Sequence, residues 1–168
     1  TNNFDQIKNR ILDKEILEMQ HRGISLQKND QEEFNNISEK LGKLSTDFSN
    51  NVLDATNKWF LILNRKSEVE GLPERVLELM ANSAHNHLKK DGAVDTKNGP
   101  WKLSLDIPTY TSFMTYAADR NLREKLYKAF VSRASQGENN NSQIIEEILS
   151  LRAKKANLLG YASWAELS

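Results

Sequence analysis

The stretch DQEEFNNISEKLGKLSTDFSNNVLDAT, residues 30–56, decides the fold class. Phe34, Ile37, Leu41, Leu44 and Phe48 stand at spacings of 3, 4, 3 and 4. That spacing puts them on one stripe of a helix, the seam that a packing partner covers. Val52 and Ala55 continue the stripe, which predicts a helix of some 27 residues. At its start the Asp30 carboxylate is placed to accept from the Glu33 N–H while Glu33 reaches back, as in a capping box.

Upstream, Phe4, Ile7, Ile11, Leu12, Ile16 and Met19 make a second stripe over Asn3–Gln20. The basic pair His21 and Arg22 followed by Gly23 is a helix stop, with Gly free to take positive φ. The two helices are expected to form an antiparallel hairpin joined by Gly23–Asn29. Downstream the period changes. Trp59-Phe60-Leu61-Ile62-Leu63 is a short, β-favouring run, and Trp101–Ile107 alternates apolar and polar residues. They are expected to pair as a small antiparallel ribbon lying on the helices. Between them a third helix opens at Leu72-Pro73, turns Val76, Leu77, Met80, Ala84 and Leu88 inward, and ends with Lys89 and Lys90 before Gly92. Further helices follow from Pro108 and from a capping pattern at Asn121 and Glu124. The next runs from Ile144 to Gly160, and another capping box stands at Ser163 and Glu166. The polar stretch Ser135–Asn141 reads as a mobile loop. The expected fold is mainly α, helical hairpins and bundle with one two-stranded ribbon. It is divided as a helical hairpin over 1–58, a ribbon with an inserted helix over 59–107, and helices over 108–168.

Composition agrees with this. Seven Gly and three Pro in 168 residues leave room for long helices. Lys plus Arg and Asp plus Glu are 23 each, and zero net charge argues against a nucleic-acid or anionic-membrane partner. Cysteine is absent, which excludes a disulfide scaffold, a thiolate nucleophile and any Cys-ligated metal. The longest apolar run, Trp59–Leu63, is far short of the ~20 residues of a membrane span, and no secretory leader is expected. Ser168 falls about one turn into the last predicted helix, and one turn does not stabilise itself. A piece of a longer protein is therefore expected.

Chemistry is sparse. His85 and His87 stand at i and i+2, where a helix points them to different sides, and His21 is the only other histidine. A zincin needs histidines at i and i+4 with an adjacent Glu, and that motif is missing. The neighbouring carboxylates Glu32 and Glu33, Glu68 and Glu70, and Glu146 and Glu147 read as solvated faces rather than acid–base pairs. No G-x-S-x-G, G-x-x-x-x-G-K or G-x-G-x-x-G occurs. No catalytic, cofactor-binding or metal-binding residue is assigned.

Several strings resemble one family. Ser49-Asn50-Asn51-Val52-Leu53-Asp54-Ala55-Thr56 is similar to the oligopeptidase A and thimet oligopeptidase family of zinc metallopeptidases. So are Leu105-Asp106-Ile107-Pro108-Thr109-Tyr110 with Phe113-Met114-Thr115-Tyr116, and Leu122-Arg123-Glu124-Lys125-Leu126-Tyr127 with Arg133-Ala134-Ser135. A fourth set is Asn141-Ser142, then Glu146 to Arg152, then Leu158-Leu159-Gly160-Tyr161. The sets follow the family's order, and the oligopeptidase A branch looks closest. The resemblance implies a hydrolase roughly four times longer, in which a two-lobed helical shell encloses a channel, and absent cysteine with no expected leader suggests a cytoplasmic parent. Short peptides are cut there by a zinc-bound water, polarised by the Glu of H-E-x-x-H. The motif histidines and a downstream Glu hold the zinc. This chain corresponds to a stretch upstream of that motif and contains none of those residues. It is thus expected to be an inactive part of the shell, with the remaining lobe and peptide substrates as partners, and no nucleic acid or membrane. The resemblance offers Ser135–Asn141 as a rim loop and Tyr110, Tyr116 and Tyr127 as channel lining. Buried tyrosines with one bonded hydroxyl are the commoner case and are favoured here. The alternative is a stand-alone helical interaction module using the Phe34–Phe48 seam.

Overall fold

The computed structural model describes residues 3–89 and 91–168, with side chains from Asp5 onward. The Phe4 side chain and Lys90, both placed in helices by the sequence, lie outside the described residues. Seven helices are described: α1 (Asn3–His21), α2 (Lys28–Lys58), α3 (Glu74–Leu88), α4 (Ile107–Tyr116), α5 (Arg120–Val131), α6 (Ser142–Leu158) and α7 (Trp164–Leu167). Two strands, β1 (Phe60–Leu63) and β2 (Trp101–Ser104), pair antiparallel with Phe60 opposite Ser104 and Leu63 opposite Trp101. The chain forms two compact units, Thr1–Phe48 with Ser142–Ser168, and Ser49–Asn141. The α2 helix is continuous across residue 48, and α6 returns to pack on its first half.

In the first unit, Ile37 and Leu44 of the α2 seam are buried with Leu151 of α6, and Leu41, Ile144, Ile148 and Leu158 pack around them. The helix covering the seam is therefore α6, where the sequence had suggested α1. Apolar spacing shows that a helix has a face to bury and does not name the helix that buries it. On α1, Ile7, Ile11, Leu12, Ile16 and Met19 are each about half exposed or more. Gly23 takes φ +78° at the expected stop and lies against the Phe34 ring. The α2 helix begins at Lys28, so Asp30 sits inside its first turn, where its charge suits the helix dipole, and is not the cap. At the far end Ser163 Oγ accepts from the Glu166 N–H, while Glu166 accepts from the Ala162 N–H.

The second unit is built on the ribbon. Trp101 and Leu103 alternate with half-exposed Lys102 and Ser104. Their buried face meets Met80 and Ala81 of α3, and the same core holds Leu105, Phe113, Ala117 and Leu126. Burying each large side chain contributes about 1.5–3 kcal/mol. The strand β2 is shorter than the alternating run, because Asp106 turns the chain into α4 by accepting from the Thr109 N–H at 3.0 Å. Helix α5 is capped by Asp119, which accepts from the Asn121 and Leu122 N–H groups, and not by Asn121. Helix α3 ends at Lys89 in the left-handed region, φ +49°, three residues before the expected Gly92.

Candidate functional site

The three histidines are apart in their surroundings. Within the first unit His21 Nε2 is 2.8 Å from the Tyr161 hydroxyl. Both line a cavity of about 270 Å³ with Gln20, Ser25, Leu26 and Leu159. Within the second unit His85 faces a cavity of about 100 Å³ beside Asp91 and Asp95. The His87 ring instead lies outside, edge-on to Phe60 at 4.3 Å. Among the described residues no grouping of three or more His, Asp or Glu is placed to hold a metal ion.

Of the neighbouring carboxylates, Glu68 departs from the solvated reading. Its side chain is 16% exposed and pairs with the Arg65 guanidinium at 2.9 Å. It also accepts from the Asn64 and Arg65 N–H groups. Burial pushes this carboxyl up, but the Arg65 guanidinium and those backbone donors outweigh it and hold it below the usual range. Glu147 is half-buried and pairs with Lys40 across the α2–α6 seam. Glu32, Glu33, Glu70 and Glu146 are exposed.

The tyrosines divide. Tyr110 stacks on Phe130 with centroids 3.8 Å apart, and the Arg133 guanidinium lies 3.7 Å from the same ring. Tyr116 and Tyr127 are half exposed, against the expectation of buried rings. The Ser135–Asn141 stretch contains a 3-10 turn at Gly137–Asn139. It is anchored at its end, where Asn141 is buried and accepts from the Asn51 amide at 2.8 Å. A loop read as polar and free thus carries a buried amide, because the amide finds its partner on α2, ninety residues away in sequence.

The second unit also carries a groove of about 500 Å³ lined by Val69, Leu72, Leu77 and Trp101, with Lys66, Glu74 and Lys97 among its lining residues. Its wall is a turn over residues 95–101, and the polar stretch Gly92–Pro100 reads from the sequence as an exposed turn. Asp95 Oδ1 accepts from the Lys97 and Asn98 N–H groups, and Oδ2 from the Asn98 amide at 2.9 Å. The Gly99 N–H donates to the Asp95 carbonyl, and the Trp101 indole N–H to the Thr96 carbonyl. The bonds from the Asn98 amide and N–H, and from the Lys97 N–H, hold the Asp95 carboxyl below its usual range, with Lys66 adding to them. The readable signal was an Asp followed three residues later by Asn-Gly, a turn signature.

Comparison with known proteins decides the family. The pattern of peptidase family M3 matches residues 113–168. The probable cytosolic oligopeptidase A of Arabidopsis thaliana is 44% identical over 167 residues, 99% of this chain and 24% of that protein. The organellar oligopeptidase A, chloroplastic/mitochondrial, of the same plant is 43% identical over 98% of this chain and 21% of its own length. Oligopeptidase A of Escherichia coli (strain K12) is 37% identical over 93% of this chain and 22% of its own length.

The chain belongs to the oligopeptidase A and thimet oligopeptidase family. It spans about a quarter of the length of these oligopeptidase A relatives. Within the oligopeptidase A frame, the four strings that carried the resemblance fall on α2, on the β2–α4 turn, on α5 and on α6. They hold core positions such as Phe113, Leu126 and Leu151, together with the Asp106 cap and the Asn51–Asn141 pair. Among the described residues no helix is long and apolar enough to cross a membrane.

Proposed function

We propose that this chain is a non-catalytic helical portion of a zinc-dependent oligopeptidase that hydrolyses short peptides inside a channel, and that it forms part of the shell. The observation that supports this is the 37–44% identity to oligopeptidase A proteins along nearly the whole chain. The described residues supply no ligand set suited to zinc, so this reading assigns the metal, and the water it activates, to the rest of the parent. What these helices contribute is a wall. A shaped, water-poor cavity is what lets a zinc hydrolase aim its bound water, and a rigid helical wall admits short, unfolded chains and keeps folded ones out. On this reading the exposed α1 stripe is covered by the remaining lobe of the parent. The alternative, a stand-alone interaction module using the Phe34–Phe48 seam against a partner, is disfavoured because Ile37 and Leu44 of that seam are already buried against Leu151 of α6. The cytoplasm is the assigned compartment, in line with the cytosolic relative, and the organellar relative supplies the competing address.

The test is direct. The purified chain is incubated with zinc and a quenched fluorescent peptide, and turnover is followed with and without chelator. The expected result is no zinc-dependent turnover. Turnover abolished by the chelator would show that the chain carries a catalytic centre of its own. For the parent, the sequence downstream is expected to encode H-E-x-x-H, and a full reading frame without it removes the peptidase reading.

A further inference from the structure

The turn over residues 95–101 joins two features that the shell reading does not use: an Asn-Gly peptide on the surface and a carboxylate bonded to it. Asn98 is exposed and is followed by Gly99, whose missing Cβ gives the backbone nitrogen its freest approach to the preceding side chain. We propose that Asn98 is a site of intramolecular deamidation held in check by Asp95, and that conversion to aspartate or isoaspartate unlatches the 95–101 turn.

The chemistry is self-contained apart from water. The Gly99 backbone nitrogen attacks Asn98 Cγ, the new N–Cγ bond forms, and the Cγ–Nδ2 bond breaks. Nδ2 leaves as ammonia with the proton lost from the Gly99 nitrogen. Water then opens the succinimide at one of its two carbonyls. Breaking the N–Cγ bond gives aspartate, and breaking the bond to the backbone carbonyl carbon gives isoaspartate.

Asp95 opposes each stage. The Gly99 N–H that must be released donates to the Asp95 carbonyl at 3.2 Å. The leaving amide donates to Asp95 Oδ2 at 2.9 Å, which makes its nitrogen richer in electrons and Cγ less electrophilic. The oxyanion of the tetrahedral intermediate would form beside an existing carboxylate, and like charges that close disfavour each other. The product meets the same carboxylate. An acid at position 98 exchanges a charge-assisted hydrogen bond for repulsion, and the N–H groups of Lys97 and Asn98 lose the acceptor that curls them. Because Thr96, Lys97 and Trp101 line the groove, opening the turn removes one of its walls.

The experiment ages the full chain at neutral pH, folded and in urea, and follows the Asn98 peptide by mass spectrometry. The folded wild type is expected to deamidate at Asn98 at least about tenfold more slowly than the unfolded chain, the scale of one charge-assisted hydrogen bond. Asp95→Ala, shown by circular dichroism to be folded, is expected to recover most of that factor. Should it not fold, Asp95→Asn, which keeps the shape and removes the charge, replaces it with the same expectation. In Asn98→Asp, amide exchange at Lys97 and at position 98 is expected to quicken. Equal folded and unfolded rates in the wild type, a folded Asp95 variant as slow as wild type, or unchanged exchange in Asn98→Asp would each overturn the proposal.

Discussion

Substituting Gly99 with alanine separates two costs that the structure places at one residue. Gly99 holds φ +79°, in the region where an L side chain collides with its own backbone. An ideal Cβ there would also lie 2.7 and 2.8 Å from two carbons of the Trp101 ring. That ring is fully buried and cannot swing away, since Leu63, Met80 and Leu103 share its core. The backbone term is worth roughly 1–2 kcal/mol, and overpacking a filled core adds roughly 1–3 kcal/mol. Gly99→Ala is therefore expected to lose about 2–5 kcal/mol of unfolding free energy. Gly137 provides the control. It has φ +68° and nothing within 4 Å of an added Cβ, so Gly137→Ala should lose only the backbone share, roughly 1–2 kcal/mol. Urea titration monitored by far-UV circular dichroism gives both values. If the two variants lose the same amount to within about 0.5 kcal/mol, the Trp101 ring is not the barrier and the packing argument is wrong.

Leu44→Ala in the buried α2 seam is expected to cost about 2–5 kcal/mol, whereas Leu12→Ala on the exposed face of α1 should stay within about 0.5 kcal/mol; equal losses in urea would contradict the assignment of α6 as the covering helix. Asp119→Ala should lose about 1 kcal/mol through the uncapped end of α5, with Asn121→Ala close to neutral, and the reverse order by thermal melting would restore Asn121 as the cap. The Glu68 carboxyl is held low in the folded state, so its ionised form contributes stability above its unfolded value of about 4.3, and that contribution fades as pH falls through the lower folded value. Stability measured from neutral pH down into the acid range should thus fall less steeply in Glu68→Gln than in wild type, and parallel curves would refute the Glu68 assignment.

The elements that local chemistry dictates were readable along the chain. The α2 seam, the ribbon of Trp59–Leu63 with Trp101, and the Gly23 and Gly160 stops all come from neighbours within a few residues. Boundaries moved where a closer polar side chain took the cap, as Asp106 and Asp119 did. What spacing does not encode is which surface meets which. The α2 seam is covered by α6, more than a hundred residues downstream of it in the chain, and the Asn51–Asn141 pair joins residues ninety apart. Glu68 looked like one of many surface carboxylates because its acceptor role depends on the backbone direction at Asn64 and Arg65. The His21–Tyr161 pair was equally hidden. Its partners lie 140 residues apart, and neither belongs to a motif.

The placement of the tryptophans gives this chain its own optical reporters. Trp101 is fully enclosed among apolar side chains in the second unit, whereas Trp164 stands at the start of α7 in the first, with the Arg152 guanidinium 5.3 Å from its ring. An indole shielded from water emits at shorter wavelength than one beside solvent and charge. With Trp59 replaced by Phe, the blue and red sides of the emission band would follow the two units separately, so one titration would show whether they melt together or in sequence.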